Sequence, residues 1–127
     1  MNVITKMSAL QAFKAMVCFL DDYYNETLSD DLGSLLGDMQ LLEDDNGTWD
    51  PAAWGDWIIA LGGKKSVTEA EGFRAMFNFL HAYYVRTSSV SGDIKTILDT
   101  MQSAEEGDFA NSAIWYAWID CVKENVL

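Results

Sequence analysis

The sequence predicts an all-α, six-helix, single-domain bundle built from two tandem three-helix repeats related by a pseudo-twofold axis. The main observation is a repeat: residues 12–24 return as residues 72–84, and both copies contain the pattern Ala-Met-x-x-Phe-Leu-x-x-Tyr-Tyr. In each copy the large apolar residues recur three and four positions apart, which is the spacing of a buried helix face. Three such helices alone make a thin core, so the two repeats are expected to pack on each other.

Two further blocks of each repeat also match. The second-helix positions are Leu32, Leu35, Leu36 and Met39, matched to Ile94, Ile97, Leu98 and Met101; the third-helix positions are Trp54, Trp57, Ile58 and Leu61, matched to Trp115, Trp118, Ile119 and Val122. The offset between copies is 60 residues in the first block (73 minus 13), 62 in the second (94 minus 32) and 61 in the third (115 minus 54). The four tryptophans are expected mainly in the core. We predict one domain over residues 1–127, with repeat 1 at 8–62, repeat 2 at 68–125 and a linker at 62–67.

Short polar motifs mark the predicted helix ends. Ser8 with Gln11 and Thr68 with Glu71 form matching capping boxes, so the first helix of each repeat should begin just after them. The second helix of each repeat is predicted to end at its Met-Gln pair, near residue 40 or 102. No segment has the pattern of a strand.

The cysteines and the first residues bear on the cellular compartment. Cys18 and Cys121 occupy unrelated positions in the two copies, matched to Asn78 and Ala60, so a disulfide is not expected. Reduced thiols, together with an N-terminal stretch unlike a secretory signal, predict a cytoplasmic protein with no membrane partner.

Motifs for catalysis, cofactors or metals are not evident. The single histidine, His81, is interpreted as a surface residue, because a metal triad of the common kinds needs more than one. The segment at 62–66 lacks the glycine spacing of a phosphate-binding loop. An EF-hand register on Gly47 puts Leu42 first and Ala53 last, where carboxylates are required. We therefore expect no enzyme activity, no cofactor and no metal.

The strongest remaining signal is negative charge. Asp and Glu total 20 against 8 Lys and Arg, for a net charge of −12. Residues 1–63 hold eleven acids and two bases, a net of −9, whereas residues 64–127 hold nine acids and six bases, a net of −3. This balance argues against direct binding of nucleic acid or an anionic membrane and favours a basic protein partner. The acids of the first copy are either a solubilising face or a binding face.

The candidate partner-binding residues follow from treating the second copy as a control. Both copies keep the apolar positions, but the first copy alone carries most of the acids, so these are candidates for function. The candidates are Asp21, Asp22, Glu26, Asp30, Asp31, Asp38, Glu43, Asp44 and Asp45, with Trp49 as an exposed aromatic. The first five should converge on one corner, because they end the first helix and open the second.

Three segments of the first repeat resemble a known family. They are the Ala-Met-x-x-Phe-Leu-x-x-Tyr-Tyr pattern at residues 15–24, Ser-Asp-Asp-Leu-Gly-Ser-Leu-Leu-Gly-Asp-Met-Gln at 29–40, and Asp-Pro-Ala-Ala-Trp-Gly-Asp-Trp at 50–57. This pattern is similar to the small acidic helical immunity proteins of bacterial contact-dependent growth inhibition systems. It covers the first repeat well and the second loosely, where Asp-Pro-Ala-Ala is replaced by Asn-Ser-Ala-Ile.

The resemblance implies an antitoxin that binds the C-terminal toxin domain of a delivered effector, often a basic nuclease, and neutralises it without chemistry. Two other classes stay open. One is an acidic nucleic-acid mimic or adaptor protein that binds a basic host protein. The other is a small enzyme whose site forms only in the folded chain.

Overall fold

Six helices account for most of the chain, as the apolar spacing predicts. The computed structural model describes residues 6–43, 47–87, 92–107 and 111–126. The helices are α1 (Ala9–Thr27), α2 (Asp30–Asp38), α3 (Pro51–Ala60), α4 (Glu69–Thr87), α5 (Gly92–Glu106) and α6 (Ala113–Val126). The all-α prediction is confirmed. Within the described ranges, no helix combines the length and apolarity needed to cross a membrane.

A two-stranded antiparallel sheet corrects the prediction that the chain has no strands. Strand β1 (Met7–Ser8) pairs with β2 (Ser66–Val67), and Met7 lies opposite Val67. Each strand has two residues, too few to show an alternating pattern in the sequence. Both Met7 and Val67 are buried, so the sheet closes one end of the core.

The helices of the two halves pack across each other. Helix α1 lies against α6, and α3 lies against α4, so each third helix contacts the first helix of the other half. The Trp57 ring shows this directly, because its centre lies 6.0 Å from that of Phe13 in its own half and 6.0 Å from that of Phe79 in the other. The core is therefore shared between the halves.

The capping boxes form as predicted. The Gln11 amide donates to Ser8 Oγ at 3.1 Å, and the Ser8 amide donates to Gln11 Oε1 at 2.8 Å. In the second half the Glu71 amide donates to Thr68 Oγ1 at 3.1 Å, and the Thr68 amide donates to Glu71 Oε1 at 2.9 Å. These bonds satisfy amides at the starts of α1 and α4 that have no partner inside the helix.

The predicted tryptophan core is confirmed for its inner pair. Trp57 and Trp118 are fully buried, while Trp54 and Trp115 are half-buried. The Trp57 indole donates to the carbonyl of Ala9, the first residue of α1, at 3.0 Å. The Trp118 indole donates at the same distance to the carbonyl of the first residue of α4. Each buried indole N–H is thus satisfied.

The second helices of the two halves differ more than the sequence predicts. Helix α2 ends at Asp38, and the following chain forms a bridge between Leu41 and Thr48. Helix α5 continues to Glu106, beyond the predicted end near residue 102, and Ala104 packs into the core. Helix α5 is longer because its apolar spacing continues to Ala104, a buried residue about one turn after Met101.

The expected pair of reduced thiols is wrong. Cys18 on α1 and Cys121 on α6 form a disulfide, with Cα atoms 5.8 Å apart. The prediction failed because it compared each cysteine with its match in the other copy, whereas the fold brings α1 of one half onto α6 of the other. The matched contact in the second half is a hydrogen bond from the Asn78 side-chain amide to the Ala60 carbonyl at 3.4 Å.

Candidate partner-binding surface

An open groove of about 540 Å³ lies between α1 and α2. We call it the α1–α2 groove; it is lined by Lys14, Val17, Cys18, Asp21, Leu36, Gly37, Met39, Gln40, Leu41 and Asn125. Its α1 residues are spaced three and four positions apart, so they share one face of the helix. The groove is mostly apolar, with Asp21 exposed beside it.

A second open groove of about 560 Å³ lies between the C-terminal half of α1 and the start of α6. We call it the α1–α6 groove; it is lined by Phe19, Asp22, Tyr23, Asn25, Glu26, Thr100, Ala113, Ile114 and Ala117. Asp22 and Glu26 are exposed and lie one turn apart, while Tyr23 is half-buried. None of the groove's lining residues is a lysine or an arginine.

The matched place, at the contact of α3 with α4, holds an arginine. Where α3 meets α4, Arg86 donates to Asp56 Oδ2 at 2.6 Å. The guanidinium carbon of the same arginine lies 5.8 Å from the centre of the Tyr83 ring. The chain therefore shows one cation held by a carboxylate and the face of a tyrosine.

The matched positions in the α1–α6 groove have no such cation. Tyr23 occupies the position matched to Tyr83. Glu26 stands at the position matched to Arg86, and Ala117 of α6 stands at the position matched to Asp56 of α3. A tyrosine ring is present at both places. In the α1–α6 groove, Glu26 replaces the arginine, and the methyl group of Ala117 replaces the carboxylate.

The electrostatics of the two tyrosines reflect this difference. Burial first, and then the charge of Glu26, raises the pKa of Tyr23. Burial also raises the pKa of Tyr83, with additional contributions from Asp38 and Asp31, and the guanidinium beside that ring opposes the shift. The negative potential at Tyr23 is therefore not relieved by an internal cation of the kind found at Tyr83.

The structure divides the five acids that were expected at one corner. Asp21 lines the α1–α2 groove, whereas Asp22 and Glu26 line the α1–α6 groove. Asp30 is exposed at the start of α2, and Asp31 lies close enough to Tyr83 to affect its pKa.

The other candidates lie around the end of α2. After burial, the charge of Asp38 and then that of Asp31 raise the pKa of Tyr83, and Glu43 is exposed. Trp49 is 73% exposed, and its backbone amide donates to the carbonyl of Gln40, a residue of the α1–α2 groove, at 2.6 Å. The remaining candidates, Asp44 and Asp45, lie outside the described residues.

Four surface ion pairs among the described residues take their bases from the second half. Lys64 pairs with Glu71, Arg74 with Glu105, Arg86 with Asp56, and Lys95 with Asp99. Among the acids of these four pairs, only Asp56 belongs to the first half. All four bases belong to the second half.

Sequence reasoning missed the part of the surface that α6 supplies. The sequence indicates candidates in the first half alone, yet Ala113 and Ala117 of the second half line the α1–α6 groove. In the sequence, Tyr23 is only the first residue of the Tyr-Tyr pair that ends the repeated pattern. The exchange between Glu26 and Arg86 at matched positions is visible in the sequence and supports Glu26 as a candidate.

The disulfide lies beside this surface with two carboxylates near it. The ligand atoms of Cys18, Asp22 and Cys121 lie within 4.8 Å of one another. The Glu124 carboxylate Oε2 lies 3.4 Å from the sulphur of Cys18. Cysteine thiolates and carboxylates are both residue types that bind zinc when the sulphurs are reduced.

Comparison with protein-family models, with curated proteins and with solved structures found no match to this chain.

Proposed function

We propose that the chain is an immunity protein that binds and neutralises the C-terminal toxin domain, a basic nuclease, of a contact-dependent growth inhibition effector. It acts in the cytoplasm, without catalysis, by covering a surface that otherwise holds nucleic acid. The observation that carries the proposal is the α1–α6 groove, an aromatic and acidic site whose counterpart in the second half already holds an arginine.

The groove fits a cationic side chain of the toxin. A partner arginine over the ring of Tyr23 would repeat the contact that Arg86 makes with Tyr83, and Asp22 or Glu26 would accept its N–H groups. Nucleases hold the phosphates of nucleic acid with Lys and Arg. The carboxylates of Asp22 and Glu26 would bind those side chains in place of the phosphates. The net charge of −12 accelerates the encounter.

Apolar residues supply the rest of the interface. Charged rims contribute mainly to association rate, and tight binding needs a few aromatic or aliphatic anchors. Trp49 is 73% exposed and Leu42 is 42% exposed, both near the end of the α1–α2 groove. The proposed interface therefore extends from the α1–α6 groove across α1 to Trp49.

The two halves are proposed to be tandem repeats related by a pseudo-twofold axis. The matched capping boxes, the paired indole bonds at 3.0 Å and the crossed packing of α1 with α6 and α3 with α4 support this. In this proposal Arg86 occupies the site at the α3–α4 contact. The matched site in the α1–α6 groove is left for a residue of the partner.

The test is co-expression with the C-terminal domain of an effector encoded next to this gene. Wild type should co-purify with that domain and protect growth. Glu26→Arg supplies the cation internally, so it should slow association about tenfold and weaken protection. Glu106→Arg is the control, because it makes the same charge change on an exposed residue of α5.

The outcomes separate the proposal from its rivals. Equal loss from Glu26→Arg and Glu106→Arg would show a diffuse charge effect and remove the groove from the interface. Capture of a basic host protein, with no binding to the effector domain, would favour the acidic mimic or adaptor. A stable complex that leaves the toxin fully active would contradict the immunity role.

A further inference from the structure

Four side chains with metal-binding atoms meet where α1 contacts α6. Cys18 and Asp22 lie one turn apart on α1, and Cys121 and Glu124 lie one turn apart on α6. The Cys18 sulphur is 3.4 Å from Glu124 Oε2, and the Cys121 sulphur is 3.7 Å from Asp22 Oδ2. Each helix thus contributes one sulphur and one carboxylate.

The carboxylates are not explained by the disulfide. A disulfide carries neither a proton to donate nor a charge to attract an anion, yet each of its sulphurs has a carboxylate oxygen beside it. Two thiols, in contrast, can donate to these oxygens, and two thiolates can share a cation with them. The arrangement therefore suits the reduced state.

We propose that the reduced chain binds one zinc ion through Cys18, Cys121, Asp22 and Glu124. Zinc takes four ligands in a tetrahedron, with Zn–S about 2.3 Å and Zn–O about 2.1 Å, which sets a sulphur-to-oxygen edge of about 3.6 Å. The two such distances in the structure, 3.4 and 3.7 Å, already match that edge. On reduction the two sulphurs must separate to about 3.8 Å. The exposed Glu124 side chain must also move closer to the other ligands, since the group of ligand atoms within 4.8 Å of one another consists of Cys18, Asp22 and Cys121.

The disulfide and the zinc site are two states of one cluster. A dithiol reductant transfers two electrons and two protons to the S–S bond, giving two protein thiols and the oxidised reductant. Zinc then binds as both thiols lose their protons to solvent. In a reducing compartment zinc would connect α1 to α6 in place of the covalent bond.

The site contains no histidine. The single histidine of the chain, His81, is exposed and stacked on Phe77, with ring centres 5.9 Å apart. A two-thiolate, two-carboxylate set instead combines residues 99 and 106 positions apart in the chain, so no local motif reveals it. The site rests on the α1–α6 contact and does not depend on the proposed immunity function.

The experiment uses the full chain, reduced with a phosphine that does not itself bind zinc tightly, and compares it with the oxidised chain. The reduced chain should take up one zinc ion. With cobalt as a spectroscopic substitute, it should show the sulphur-to-metal charge-transfer band and the strong visible bands of tetrahedral coordination. The oxidised chain should show neither band.

Substitutions assign the ligands. Asp22→Asn and Glu124→Gln keep both thiols and should each weaken zinc binding by about tenfold or more. Cys18→Ser should abolish the charge-transfer band or halve it, and circular dichroism checks that its helices remain. Asp120→Asn is the matched control, because it removes a carboxylate next to Cys121 in sequence without being one of the four ligands.

Three results would overturn the site. One is reduced wild type that binds no stoichiometric zinc. Another is oxidised chain that binds zinc as tightly as reduced chain, which would indicate the acidic surface alone. The last is zinc affinity unchanged in both Asp22→Asn and Glu124→Gln, which would leave the carboxylates outside the coordination shell.

Discussion

The two halves of the molecule bury matching apolar residues but treat their outer contacts differently. Where α4 meets α3, the contact is held by the Arg86–Asp56 ion pair and the Asn78–Ala60 hydrogen bond. Where α1 meets α6, the matched positions hold Glu26 with Ala117, and a disulfide. The core positions are constrained by packing in both halves, whereas the rim positions are free to differ. Differences at the rim are therefore not required by packing, and the proposed partner surface includes one of them.

The largest loss of stability is expected from removing the phenylalanine ring that packs against the two tryptophans of each half. Phe13 lies 5.3 Å from Trp54 between ring centres, and Phe73 lies 5.5 Å from Trp115. Both phenylalanines are buried, so Phe13→Ala and Phe73→Ala should each cost about 3–5 kcal/mol of unfolding free energy. Urea unfolding measures both.

The two costs should agree if the halves are equivalent in the core. If only one of the two variants kept a near wild-type unfolding free energy, its ring would be replaceable. The two matched positions would then contribute unequally to stability. A conservative control is Phe13→Leu, which keeps most of the apolar volume and should cost clearly less than Phe13→Ala.

The disulfide gives the next largest expected effect. It closes a sequence separation of 103 residues, and native disulfides typically contribute about 2–4 kcal/mol. Reducing the purified chain without metal should lower its unfolding free energy by that amount. Asn78→Ala, at the matched contact, should cost only about 0.5 kcal/mol, because it removes one exposed hydrogen bond.

Thiol titration provides the check on this comparison. The denatured, unreduced chain should report no free thiol, and the reduced chain should report two. Equal stability before and after reduction would mean that the link adds nothing to the packing of α1 on α6.

The sequence predicts the fold well because the fold depends on local patterns. Helix spacing and the Ser8 and Thr68 capping boxes are properties of neighbouring residues, and the structure confirms them. The α1–α6 contact is a property of topology, since it joins the first and last helices. The disulfide and the alanine wall of the groove could not be read from sequence for that reason.

The strands and the length of α5 were missed for a different reason. Two-residue strands give no periodic signal, and Met7 shows its role only through its pairing with Val67. The end of α5 rests on Ala104, a weakly apolar residue whose burial depends on what packs above it. Both features follow from tertiary contacts that override the local pattern.

The smallest expected difference between the halves is the pH dependence of their capping boxes. Gln11 is neutral, whereas Glu71 is ionised, and a hydrogen bond from Lys64, followed by one from the Thr68 amide, lowers the pKa of Glu71 to about 2. Because the folded pKa lies below the ordinary value of 4.5, ionised Glu71 stabilises the fold above that pH. The contribution is lost as the pH falls through about 2.

Glu71→Gln should therefore lower Tm at pH 7, and the gap to wild type should narrow steadily between pH 4.5 and pH 2. The effect should be smaller than those of the core and the disulfide, because Glu71 and Lys64 are exposed to solvent and screened. Gln11→Ala removes the neutral box of the first half, so its cost should be the same at both ends of that range. A Glu71→Gln gap that does not change with pH would show that the second box works through shape alone, as the first one does.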